Sequence, residues 1–148
     1  MNTPASKFKP MNADCNATLI TAGAAVLTHP ATRHPLAGDF YSVSARRGRT
    51  WIQIHGETRS SLGSLIAWTY LLDNPTVTAK RFTQAIHVHV EGTLDGIPVE
   101  IFTGYDSSNS SIGRTLAART DWHTDKVTVP VHHLRAVQVG AYRTAVAA

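Results

Sequence analysis

Between Ile86 and Phe102 the chain alternates apolar and polar residues on either side of Asp95-Gly96, and few folds accommodate that pattern. Asp-Gly favours a type I′ turn, because both central residues need positive φ and these two tolerate it well. Counting back from the turn pairs Leu94 with Ile97, Val90 with Ile101 and His89 with Phe102. One face of this hairpin then carries Ile86, Val88, Val90, Gly92, Leu94, Ile97, Val99 and Ile101, and it demands a covering layer. The other face carries His87, His89, Glu91 and Glu100, with the two glutamates directly opposed. Like charges so placed repel by some tenths of a kcal/mol, which a metal, an arginine from a neighbouring strand or solvent would relieve. Pro98 falls at a non-hydrogen-bonded pair with Thr93, and its missing N–H predicts a sheet edge on the outer side of its strand.

A second hairpin is expected over Phe40 to His55, its tip at Arg47-Gly48 or over Arg46 to Arg49; either choice sets Ala45 opposite Thr50. Tyr41, Val43, Ala45, Thr50, Ile52 and Ile54 form its core face. Phe40, Ser42, Ser44, Arg46, Arg49, Trp51, Gln53 and His55 form the other. Ala13 to Thr28 reads as a helix on the stripe Ala13, Ala17, Ile20, Ala24 and Leu27. A second helix starts at Ser60 or Ser61, buries Leu62, Leu65, Ile66, Thr69 and Leu72, and stops at Asp73-Asn74-Pro75. Strands are expected over Thr76 to Phe82 and Lys126 to Val131, and a short helix over Arg114 to Arg119. The segment from His132 to Val139 fits either helix or strand. The sum is an α+β domain of two layers over residues 12–140. Its mostly antiparallel sheet is built as hairpin, helix and three-stranded meander, with helices on one face. A polar loop interrupts it at 106–113, between an N-terminal arm at 1–11 and a frayed tail at 141–148.

A chain of 148 residues buries enough surface to hold one domain without a disulfide or metal. Its single cysteine, Cys15, excludes an intramolecular disulfide and a cysteine-rich metal site, and suits a reducing, cytoplasmic setting. The apolar run from Ala17 to Leu27 is too short to span a bilayer, so no membrane partner is expected. Fourteen Lys and Arg against ten Asp and Glu leave a net charge of +4, which favours anionic partners without naming one.

Two constellations bear on chemistry. At the first hairpin tip, Arg46, Arg47 and Arg49 sit beside Trp51 and Gln53: guanidinium groups hold phosphates while an indole stacks on a base. Lys80, Arg81 and Arg59 are candidates to extend that patch. The second is His87, His89, Glu91 and Glu100, a donor set for Zn, Mn or Fe whose spacing matches no specific metal motif. No Walker loop, GxGxxG, GxSxG, HExxH or zinc-finger spacing occurs, and no RNP-like aromatic pattern stands out. The expected function is therefore a non-catalytic binding protein without a cofactor, an accessory or regulatory nucleic-acid binder acting through its basic hairpin. The alternative is a protein-interaction module, such as an inhibitor, adaptor or virion component of a phage or plasmid, with homo-oligomerisation open. A metal-dependent enzyme ranks third.

Overall fold

Two tight turns frame the fold. Arg47 and Gly48 take φ of 52° and 72°, and Asp95 and Gly96 take 49° and 79°, the doubly positive φ that a type I′ turn requires. The computed structural model describes residues 13–56, 59–119 and 126–146. Their elements are α1 (Ala13–Thr28), a 3-10 turn at Pro30–Arg33, β1 (Phe40–Arg46), β2 (Arg49–Ile54), α2 (Arg59–Leu71) and β3 (Asp73–Arg81). There follow β4 (Ala85–Leu94), β5 (Ile97–Asp106), α3 (Ser111–Arg119), β6 (Val127–Thr128) and α4 (Val131–Val146). The expected N-terminal arm at 1–11, the side chains of Ala13, Cys15, Ala17 and Arg59, and the end of the expected tail at 147–148 lie outside the described residues.

The strands form one sheet in the order β1-β2-β5-β4-β3-β6. The β4–β5 register is the one counted from the turn, with Val90 opposite Ile101 and Glu91 opposite Glu100. The β1–β2 register likewise places Ala45 opposite Thr50. All neighbours are antiparallel except β2 and β5, which run parallel from Thr50–Val99 to Gln53–Phe102. The chain thus leaves β2, crosses through α2 to β3, and meanders back through β4 to lay β5 against β2.

The apolar face of this sheet is covered. Ile52, Ile54, Val88, Val90 and Ile101 are fully buried against Leu62, Leu65 and Trp68 of α2, with Leu116 of α3 and Leu134 of α4 in the same core. Position 92 on this face needs glycine, because a Cβ there would meet the Asp73 carbonyl oxygen and Leu72 Cβ at 2.8 Å each. Trp68 anchors the loop before β1 by donating its Nε1–H to the Ala37 carbonyl at 2.9 Å. The Tyr105 hydroxyl lies 2.9 Å from Ser61 Oγ, and burial pushes its phenol well above its ordinary value against the weaker pull of that hydrogen bond. Helices on one face of a mostly antiparallel sheet make an α+β fold of two layers.

Several local expectations change. Pro98 does not mark an edge: β2 flanks β5, and their paired register starts at Val99, one residue beyond the proline. The long free edge is β1, which no described strand flanks on its outer side; the opposite edge is the two-residue β6. A bulge between Phe40 and Ser42 exchanges two side chains. Phe40, expected outward, packs on the core with its ring 6.5 Å from Trp68, while Tyr41, expected inward, turns out against His55. Val43 and Ala45 stay exposed on this edge. In α1, Ile20 and Leu27 are exposed and Gly23 and Val26 are buried. The helix approaches the hairpin closely, so a Cβ on Gly23 would lie 3.5 Å from Ala45 Cβ, and that contact selects small residues over large ones. The polar loop shortens to a turn after Asp106, whose Oδ1 accepts from the Ser108 and Asn109 N–H groups, before α3 starts at Ser111. The segment after Pro130 is a helix, with Leu134 and Val137 buried three residues apart, and it continues through the expected frayed tail to Val146. Among the described residues no helix is long and apolar enough to cross a membrane.

Candidate nucleic-acid interface

The opposite face of the sheet has no helix packed on it among the described residues, and the strand period decides what it shows. Outward positions are Arg49, Trp51 and Gln53 on β2, Glu100, Phe102 and Gly104 on β5, His87, His89 and Glu91 on β4, and Thr78 and Lys80 on β3. Residues predicted separately as a basic tip and a histidine–glutamate face therefore belong to one surface.

Arg49 joins them. Its Nη1 donates to Glu91 Oε2 at 2.9 Å and to Glu100 Oε2 at 2.7 Å. His89 Nδ1 lies 2.6 Å from Glu100 Oε1, and Lys126 donates to the second oxygen of Glu91. The opposed glutamates are thus neutralised by an arginine reaching over from β2. Burial alone would push the Glu100 carboxyl up, but hydrogen bonds from His89 and Arg49, with the charges behind them, outweigh it and hold the group below its ordinary value. The Arg49 guanidinium is raised, chiefly by its hydrogen bond to Glu100. Arg49 accordingly serves the sheet, and among the described residues no three His, Cys, Asp or Glu groups converge where an ion would sit.

The other tip residues divide. Arg46 and Arg47 are exposed, and neither pairs with a described carboxylate. The Arg46 guanidinium lies 4.9 Å from the centre of the Trp51 ring, within cation–π range. Gln53 Oε1 accepts from Ser42 Oγ at 3.3 Å. The Trp51 Nε1–H is buried with no hydrogen-bond partner among the described residues, and packing and the Arg46 charge hold this indole. Lys80 lies on the same face at its far side, its Nζ 5.2 Å from the Phe82 ring. Arg81, next along β3, pairs with Ile86 of the core-facing row and falls outside the patch.

Sequence reasoning missed the aromatic residues between these cations. Trp51 meets the edge of Phe102 with ring centres 6.2 Å apart, Phe102 and His87 lie 6.3 Å apart within 24° of parallel, and His87 and Phe82 lie 4.5 Å apart. His89 adds a ring 5.3 Å from Phe102 and within 13° of parallel. His87 lies over Gly104, where a Cβ would meet its ring atoms at 3.0 Å and the imidazole would have to shift to accommodate it. Burial, reinforced by the charges of His89 and Lys80, lowers the His87 pKa and favours the neutral ring. The hairpin register already placed Phe102 opposite His89; the missing signal was the β2–β5 pairing that brings Trp51 beside them.

No protein-family model matches the chain, and comparison with curated proteins and with solved structures finds no match.

Proposed function

We propose that this protein is a non-catalytic nucleic-acid binder of accessory or regulatory type, and that its binding surface is the outer face of the sheet. One observation carries the reading: a run of rings crosses three strands, with Arg46 and Arg47 at one end and Lys80 at the other, none of them paired with a described carboxylate. Between them the carboxylates are neutralised by Arg49 and Lys126, so the centre of the face does not repel phosphate. The basic hairpin remains part of this reading, with Arg46, Arg47 and Trp51 as contacts, Gln53 beside them and Arg49 as their support.

Fluorescence anisotropy of labelled DNA and RNA tests it. Three phosphate contacts predict an affinity that falls roughly 20- to 40-fold between about 50 and 200 mM salt. Arg47→Glu at the solvent-exposed turn weakens binding by about tenfold or more while the melting temperature stays unchanged. No binding at low salt, or binding indifferent to salt, overturns the reading.

The free edge of β1 favours a second reading, a protein-interaction module that adds a strand there. Tyr41 is 64% exposed and Val43 37% on that edge. It predicts a dimer by light scattering that Val43→Lys dissolves, and a monomer at all concentrations would remove self-pairing.

A further inference from the structure

Resting on the nucleic-acid reading above, we propose that this face takes single-stranded rather than duplex nucleic acid. Bases stack on Trp51, on Phe102 and on the His87–Phe82 pair, and the backbone runs from Arg46 and Arg47 on one side to Lys80 on the other.

Three observations converge on the single strand. The first is shape. A six-stranded sheet with strands about 4.8 Å apart is about 24 Å wide, twice the roughly 12 Å of a duplex major groove. The two hairpin tips are narrow enough to enter a groove, but the β4–β5 tip carries Asp95 and at the β1–β2 tip Arg49 is already committed to Glu91 and Glu100.

The second is chemistry. Trp51, Phe102 and His87 are half-buried and Phe82 is 43% exposed. Duplex DNA offers phosphates to such a surface and keeps the faces of its bases stacked inside, so these rings would find no partner there. Splayed bases of a single strand do present their faces, and aromatic platforms on sheets stack two or three of them. Successive ring centres at 6.2, 6.3 and 4.5 Å mark one path, along which the rings are inclined to one another by 79°, 24° and 53°, so each base stacks on its own ring.

The third is charge. The cations lie at the two ends of the path, about 19 Å apart across the strands and about 20 Å apart along them, and the middle is balanced. Phosphates are attracted at the ends while the middle is left to the bases. Stacking is indifferent to base identity, so weak sequence preference is expected.

The test uses the full chain with labelled oligouridylate and oligothymidylate of about 12 nucleotides, beside a mixed-sequence DNA duplex and an RNA duplex of equal length. The expected result is single-strand affinity at least about tenfold above duplex at the same salt. Trp51→Leu and Phe102→Leu should each weaken single-strand binding about tenfold, whereas Trp51→Phe keeps most of it, with thermal melting confirming that each variant folds. Should Trp51→Leu fail to fold, the Trp51→Phe and Phe102→Leu pair still decides between a stacking ring and a spacer. Equal or tighter duplex binding, or single-strand binding unchanged in Phe102→Leu, overturns the proposal while leaving the nucleic-acid reading in place. Absence of binding to every probe removes both.

Discussion

The two hairpins share a turn type and differ in almost everything else. Both close with doubly positive φ, at Arg47-Gly48 and at Asp95-Gly96, and both keep the register that such a turn dictates. Yet β4 and β5 are flanked on both sides and bury alternate residues completely, while β1 lies at the edge and exposes nearly every side chain. Turn chemistry is local and sets who faces whom. Burial depends on what arrives from elsewhere in the chain, and β1 has a neighbour strand on one side only.

The largest expected difference is in core truncation. Ile101→Ala, in the centre of the buried hairpin, should cost about 2–5 kcal/mol, whereas Val43→Ala on the edge should cost under about 1 kcal/mol. Urea denaturation of the two variants measures both, and similar losses would mean that β1 is as well covered as β5. Next in size is the contact that ties the hairpins together. Arg49→Ala leaves the buried Glu100 and its opposite Glu91 without their shared cation, and should cost about 1–3 kcal/mol, partial solvent exposure of the arginine keeping it below a fully buried pair. Adding Glu100→Gln to Arg49→Ala should recover part of that loss in the same denaturation assay; a fully additive pair would show that the two groups do not couple.

The smallest effect is a slope. The Glu100 carboxyl is depressed in the fold, so it contributes stability above its unfolded value, near 4.3, that is lost as pH falls toward its folded value. His87 is also depressed, and for a base this means that the unfolded chain takes up its proton first as pH drops below about 6.5. Both groups lie in the central hairpin and act in the same direction. Melting temperature should therefore decline steadily from about pH 7 downward, and His87→Gln should flatten the upper part of that decline. A profile insensitive to His87→Gln would refute its part in it.

What was legible in the sequence follows the same division. The turns, both registers, the buried row from Ile86 to Ile101 and the opposition of Glu91 to Glu100 were readable, because each depends on residues a few positions apart. An arginine from a neighbouring strand was among the foreseen answers to that opposition, but which arginine depended on β2 lying beside β5, a pairing of residues far apart in the chain. The same gap misplaced the free edge at Pro98 and hid the ring path, whose members come from β2, β4, β5 and the end of β3. The bulge that exchanges Phe40 and Tyr41 left no mark in the alternation, and the small-residue face of α1 was masked by larger neighbours that point into solvent.

The parallel seam between β2 and β5 also bears on how the chain acquires its structure in time. Each hairpin can zip from its own turn within microseconds, because its contacts are close in sequence. Joining Thr50 to Val99 instead requires α2, β3 and β4 to be in place or the whole intervening segment to be closed as one loop. The slow step of folding should therefore be the docking of the β1–β2 hairpin onto a preformed meander, the step that raises the contact order of the domain most. In that order of events β5 waits with one side open, and Pro98 withholds one N–H near the start of that side.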